Sequence, residues 1–309
     1  MNANTKKPLI NYKQTLDILN KVAEQHSLKN EYETIPVTDI VGRISAEEIK
    51  STIEVPSFNN SAMDGFAVHA QYINQQLSVV PKVKIKVTGQ IQAGDGSDVF
   101  VTDDSVYAWE IMTGAPVPEM YDSVIPIEHV MVEQFNGQQF ITIDKFIKTG
   151  QNVRLSGTDY RLGQEVLRKH TTLHAQHVMA LATVGVSELQ VLKHIPVAIF
   201  STGNELVDRS NSTLESGKIF NSNQPFLQSF LKNITCDPVY VASCQDVEAK
   251  FEELLDLAKE QGVKIIFSTG AVSMGRYDFV PKVLKQRGAT IHFHKARVRP
   301  GKPILFAEL

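Results

Sequence analysis

IPVAIFSTG, residues 195–203, and VKIIFSTG, residues 263–270, decide the fold. The first is a continuous apolar run and the second reads as an apolar strand, and both end in Ser-Thr-Gly. A strand with one wet face alternates apolar and polar side chains, so an unbroken run belongs to a strand covered on both faces. PVYVAS, residues 238–243, is a third run of this kind. Amphipathic stretches over 223–233, 247–261 and 279–287 predict helices between and after them, and TIHFHKARV, residues 290–298, reads as a further strand. Strand alternating with helix predicts a parallel α/β sheet with helices on both faces, a three-layer domain over 194–309. Two strands of one sheet that end alike predict neighbouring loops at the carboxyl edge, where open α/β sheets bind ligands.

Working outward, residues 67–147 are rich in strand patterns. VPKVKIKVTGQI, residues 80–91, alternates apolar residues with lysine, and SVIPIEHVMVEQ followed by NGQQFITI predicts a hairpin turning at Asn136-Gly137. We read 54–145 as an inserted β-rich domain. The flanking segments, 1–53 and 146–193, form a discontinuous linking domain. In them the spacing predicts helices over 11–27, around Ile40 to Ile49, and from Leu173 to Val184, with a strand at YETIPV. Glu54 to Phe66 has loop chemistry.

Composition bounds the function. The chain has 309 residues, 42% hydrophobic and 21% charged, with a net charge of −3. This excludes a largely disordered chain, a fibre and a membrane-embedded protein. No basic excess points to nucleic acid. Cys236 and Cys244 are too few for a disulfide framework or a four-thiolate zinc site. The N-terminus lacks the apolar core of a signal peptide and no stretch is long enough to span a membrane, so the cytoplasm is expected.

Four constellations can carry chemistry. The Ser-Thr-Gly turns offer Thr202, Gly203, Thr269 and Gly270 as backbone and hydroxyl donors for an oxyanion, and STGAVSMGRYDF adds Ser273 and Asp278. Asp278 reads equally as a helix N-cap. PSFNNSAMDGFAV, residues 56–68, is a polar loop around Asp64, which either serves a ligand or caps the turn. Thr113-Gly114 in EIMTGAPVPE presents a hydroxyl or a plain structural turn. Arg299 and Lys302 in RVRPGKPILF make a compact cationic pair suited to an oxyanion, or a solvated basic turn. His292, His294, His170, His174 and His177 lack a completing thiolate or carboxylate for zinc.

Taken in order, PSFNNSAMDGFAV, IMTGAPVP, GQNVRLSGTDYRLGQEVL, VAIFSTGNELV, GKIFNSNQPFL, STGAVSMGRYDF and RPGKPILF resemble one family, the molybdopterin molybdenumtransferases of the MoeA and gephyrin E-domain group. The resemblance implies a cytosolic homodimer that completes molybdenum cofactor synthesis. Adenylylated molybdopterin binds, molybdate is inserted and AMP is released in a Mg2+-dependent step. It implies a site shared between the sheet domain of one chain and loops of the other, and the molybdopterin adenylyltransferase as supplier of substrate. By motif match, Asp64, Asp159, Glu205 and Asp278 would be its catalytic acids, with Asp64 and Asp278 the candidates to hold Mg2+. Thr113, Thr202, Gly203, Asn221, Thr269, Gly270, Ser273, Arg299 and Lys302 would contact the pterin nucleotide or molybdate.

The chain departs from the family pattern. Asn221 in IFNSN stands where the family has aspartate, as does Asn204 in STGNEL. Relatives continue past RPGKP into a further loop, a helix and a small β-domain, whereas this sequence stops at Leu309. The expected alternative to the enzyme is therefore a non-catalytic dimeric molybdopterin-binding scaffold or an inactive fragment. A third reading has the sheet domain transfer AMP onto molybdopterin, against which region 1–190 argues.

Overall fold

Ile195–Thr202 forms the central strand of a three-stranded parallel sheet, between Cys236–Cys244 and Ile265–Thr269. The computed structural model describes residues 9–26, 31–96, 106–208, 214–271 and 279–309. Its described helices are α1 (Tyr12–Gln25), α2 (Ala70–Leu77), α3 (Ala175–Thr183), α4 (Asn223–Lys232), α5 (Glu248–Glu260) and α6 (Val280–Gln286). The central strand buries both faces. Val197 and Ile199 pack with Leu227 and Leu231 of α4, while Ala198 and Phe200 pack with Phe251, Leu254 and Leu255 of α5 and Val280 and Val283 of α6. Phe200 meets Tyr240 and Phe251 edge to face at 5.8 and 6.0 Å between ring centroids. The uninterrupted apolar run of residues 195–200 thus has its physical cause.

The chain divides into two compact units. The first comprises Met1–Glu47, His170–Ala175 and Glu188–Leu309, and the second Glu48–Lys169 and Gln176–Ser187. Besides the parallel sheet, the first unit carries α1, whose N-terminus is closed by a reciprocal capping box between Asn11 and Gln14. It also holds an antiparallel ribbon of Tyr32–Pro36 with Glu188–Leu192. Two expectations fail in this unit. Thr290–His294 does not join the parallel sheet but pairs antiparallel with Leu305–Glu308, because the chain reverses through Arg299-Pro300-Gly301. Ile40 to Ile49 is not a helix: Val37–Asp39 is a single 3-10 turn, Gly42 takes a positive φ of 84°, and the Ser45 hydroxyl bonds the Glu47 carbonyl. That local bond competes with helical pairing.

The second unit is built on a six-stranded sheet in the order Ser123–Pro126, Gly65–Val68, Ala108–Ile111, Val83–Ile91, Gln138–Ile143, Met131–Phe135. Phe66 and Val68 face one cluster with Ile85, Ile141 and Ile73 of α2, and Ala67 faces another with Ile91, Ile111 and Val124. Asn136 and Gly137 turn the hairpin with φ of 49° and 74°, as a type I′ turn requires. The stretch 123–134, expected as one strand, is interrupted by a 3-10 turn at Ile127–His129 and contributes to both edges of the sheet. α2 interrupts the expected β pattern. Its N-terminus is capped by His69, whose Nδ1 accepts from the Tyr72 N–H at 3.2 Å. Two short ribbons, Ile49–Lys50 with Glu165–Leu167 and Asn60–Ser61 with Val153–Arg154, tie the segments on either side of the sheet together. Among the described residues no helix is long and apolar enough to cross a membrane.

Candidate functional site

The two Ser-Thr-Gly turns lie side by side at the carboxyl edge of the parallel sheet, with Ser201 paired to Thr269 on one side and to Ser243 on the other. The Thr202 hydroxyl donates to the Thr269 carbonyl at 3.2 Å. Gly270 has φ of 91°, and a Cβ there would lie 2.1 Å from the Thr202 carbonyl oxygen and 2.5 Å from its Oγ1. Only glycine lets the second turn close against the first. The Gly203 N–H donates to the Cys244 carbonyl at 3.2 Å, and a Cβ at Gly203 would meet the Glu205 carboxylate at 2.7 Å. Glu205 is thus folded back over the turn and exposed to solvent. Asn204 anchors the loop: its carbonyl accepts from Lys218 Nζ at 2.7 Å, and its Oδ1 accepts from the Asp246 N–H at 3.2 Å.

Asn221 lies at the same edge. Its Oδ1 accepts from the Gln224 N–H at 3.2 Å and from the Ser201 hydroxyl at 3.4 Å. Its Nδ2 reaches Gln224 Oε1 at 2.8 Å, and Asp208 Oδ1 and Ser243 Oγ at 3.2 Å each. Asp208, Gln224 and Ser243 escaped the sequence reading. Gln224 sits within GKIFNSNQPFL but was not singled out there, Asp208 and Ser243 are ordinary polar residues outside the quoted motifs, and only the parallel pairing of Cys236–Cys244 brings Ser243 beside Ser201.

In the second unit the turn between Asn60–Ser61 and Gly65–Val68 carries Asp64. Thr113, just beyond Ala108–Ile111, donates to Asp64 Oδ1 twice, from its N–H at 2.7 Å and from its hydroxyl at 2.8 Å. The backbone bond, then the hydroxyl bond, holds the Asp64 carboxyl below the ordinary carboxylate range. The loop after Thr113 is pinned to the Asp64 loop by Gly114 N–H to Ser61 carbonyl at 2.8 Å and Ser61 N–H to Ala115 carbonyl at 3.0 Å. Gly65 is compelled, since a Cβ would fall 2.0 Å from the Ile125 carbonyl oxygen.

Asp159, Arg299 and Lys302 share no hydrogen bond or ion pair with these two clusters among the described residues. Asp159 forms an ion pair with Arg154, and its N–H donates to the Val55 carbonyl at 2.8 Å. None of its bonds involves Asp64 or Thr113. Arg299 and Lys302 are exposed on the loop that precedes Leu305–Glu308, and neither makes an ion pair among the described residues. Ser273 and Asp278 lie outside the described residues.

A divalent cation can be tested against these groups. Among the described residues no three acids, histidines or cysteines gather in one place. Mg2+ does not need such a cage, because it keeps several waters and takes one or two carboxylates together with substrate phosphates. Asp64 suits that demand: both Thr113 bonds fall on Oδ1, and Oδ2 accepts none among the described residues.

Two family models match the chain. Residues 10–185 match the MoeA N-terminal region (domain I and II), and residues 198–309 match the probable molybdopterin binding domain. The chain is 36% identical over 299 residues to a molybdopterin molybdenumtransferase of Synechococcus elongatus, covering 97% of this chain and 72% of that protein. It is 34% identical over 289 residues to the protein of the same name from Haemophilus influenzae, covering 94% of this chain and 68% of the other. The fold is similar to the crystal structure of a molybdopterin biosynthesis MoeA protein from Pyrococcus horikoshii. The TM-score is 0.76 at 26% identity, over 97% of this chain and 72% of that one.

Proposed function

The chain belongs to the MoeA family of molybdopterin molybdenumtransferases, and from that premise we propose that it inserts molybdate into adenylylated molybdopterin and releases AMP in a Mg2+-dependent step. It is an enzyme of molybdenum cofactor biosynthesis. The observation that carries the proposal is the pair of Ser-Thr-Gly turns in contact at the carboxyl edge, with Gly270 fitted against Thr202.

In this reading Thr202, Gly203, Thr269 and Gly270 form the platform under the phosphates of the bound pterin nucleotide, held in shape by the Thr202 hydroxyl on the Thr269 carbonyl and the Gly203 N–H on the Cys244 carbonyl, and Ser273 would add a hydroxyl donor. Arg299 and Lys302 balance the charge of molybdate or phosphate, being cationic and in no ion pair among the described residues. Glu205 and Asn221 border the same turns. Asp64, prearranged by Thr113, and Asp278 are each candidates to hold Mg2+. When bound, the cation would supply charge neutralisation for the cleavage that frees AMP. Asp159, through its pair with Arg154, orders the loop on which it sits. We infer a three-part domain division, 1–53 with 146–193, 54–145, and 194–309, and a homodimer in the cytoplasm supplied with substrate by a molybdopterin adenylyltransferase. The family resemblance supports each of these.

The test is AMP release by the purified chain with adenylylated molybdopterin, Mg2+ and molybdate. Release that depends on molybdate is the expected result. Binding of the adenylylated pterin with no release would favour the scaffold reading, to which Asn221 in place of an aspartate gives some support.

A further inference from the structure

The side chains around Asn221 form a closed hydrogen-bond account. Asn221 Nδ2 carries two hydrogens and the Ser243 hydroxyl one. The acceptors within reach are Asp208 Oδ1, Gln224 Oε1 and Ser243 Oγ. Ser243 Oγ lies 2.9 Å from Asp208 Oδ1 and 2.8 Å from Gln224 Oε1. Three hydrogens therefore serve three acceptors in two ways: Ser243 donates to Asp208 with Asn221 Nδ2 on Gln224 and Ser243, or Ser243 donates to Gln224 with Nδ2 on Asp208 and Ser243. The amide cannot be turned over without loss, because Asn221 Oδ1 already accepts from the Gln224 N–H and the Ser201 hydroxyl.

A carboxylate at position 221 would undo this arrangement. It would remove two donors and set a second negative charge at the 3.2 Å now spanned by the Asn221–Asp208 hydrogen bond. The amide at 221 is thus matched to the acid at 208. Asp208 is exposed, both of its bonds fall on Oδ1, and Oδ2 accepts none among the described residues.

We infer that Asp208 is the ligand-reading acid of this sheet edge, that Asn221 and Ser243 position it, and that its second oxygen accepts the adjacent N–H groups on the amino-pyrimidinone edge of a pterin. The inference rests on the function proposed above, which puts the pterin nucleotide at this edge. Asp208 then selects for ring N–H donors, and Asn221 serves it from behind without touching substrate. The aspartate expected at 221 has in effect been exchanged for one at 208.

The experiment is a double-mutant cycle read by calorimetric binding of adenylylated molybdopterin to the full chain, with circular dichroism to verify folding. Asp208→Asn should weaken binding about tenfold, the loss of one hydrogen bond to a charged group. Asn221→Asp should weaken it comparably, and the double variant Asp208→Asn/Asn221→Asp should recover at least half of either loss on a logarithmic scale. Unchanged affinity in Asp208→Asn, or losses that multiply in the double variant, would overturn the inference. A second readout is independent of the proposed function. Carboxyl NMR of Asn221→Asp should reveal one acid titrating above the ordinary carboxylate range, as coupled acids do; two ordinary titrations would refute the pairing. Should the unmodified chain fail to bind the adenylylated pterin at all, the proposed function falls and the pterin contact with it, while the carboxyl titration still decides the pairing.

Discussion

At the scale of single residues, Asp64 and Thr113 come from motifs 49 positions apart, and neither motif alone distinguished a ligand-facing acid from a turn cap. In the structure Thr113 fastens one carboxylate oxygen of Asp64, and the other accepts no hydrogen bond among the described residues. Asp64→Asn keeps the shape and loses the charge. AMP release should fall on the order of a hundredfold, the scale on which a positioned charged group contributes, while the circular dichroism spectrum stays unchanged; near-normal turnover would remove Asp64 from the machinery. The carboxyl's depressed pKa also carries a pH signature. The Thr113 bonds stabilise the charged form, so their contribution is complete above the ordinary carboxylate range and is lost as pH falls through the lower folded value. Thr113→Val removes the hydroxyl bond and keeps the N–H. The acid limb of the rate profile should therefore move to higher pH; a limb that stays in place would dissociate Asp64 from the titration. Asp208 and Ser243 were illegible in the sequence for a plain reason: polar residues acquire a role only through the register that sets them beside Asn221.

At the scale of elements, legibility followed burial. Ile195–Thr202 was readable because covering both faces forces an unbroken apolar run, and the Asn136-Gly137 turn because its two positive φ angles restrict the residues that can serve. α2 was not readable: eight residues with only Ala70 and Ile73 buried leave a polar string whose helix is decided by the His69 cap and by packing on the sheet. Ile40 to Ile49 misled in the opposite sense, since helical spacing of apolar residues was overruled by Gly42 and the Ser45 side-chain bond. The tightest element-level requirement is Gly270. Alanine there meets the Thr202 backbone carbonyl, which cannot move without disturbing the central strand, and φ of 91° adds its own penalty. Gly270→Ala should cost about 3 kcal/mol, combining overpacking with backbone strain. The midpoint of thermal unfolding would fall accordingly, and an unchanged midpoint would mean that the two turns do not need this close approach.

At the scale of the whole molecule, the two compact units each hold their own core, yet the chain passes between them at Glu47–Glu48, Lys169–His170, Ala175–Gln176 and Ser187–Glu188. Neither unit is a contiguous piece of sequence. In the sequence the β-rich block interrupts a pattern that resumes after it, which is the basis for expecting a discontinuous linking domain. That pattern could not fix where contacts change sides, since Ile49–Lys50 and Glu165–Leu167 are too short to carry a periodic signal. A chain of this size need not unfold in one step. Phe200 in the first unit and Ile141 in the second are both fully buried, in separate clusters. Phe200→Ala should cost about 3–5 kcal/mol and Ile141→Ala about 2–5 kcal/mol. Native-state hydrogen exchange would tell how these losses spread. If each core supports its own unit, Phe200→Ala lowers protection of amides in the parallel sheet and spares those of Val83–Ile91 and Gln138–Ile143, while Ile141→Ala does the reverse. Equal loss of protection in both sheets from either substitution would instead mean that the interleaved crossings bind the units into a single cooperative structure.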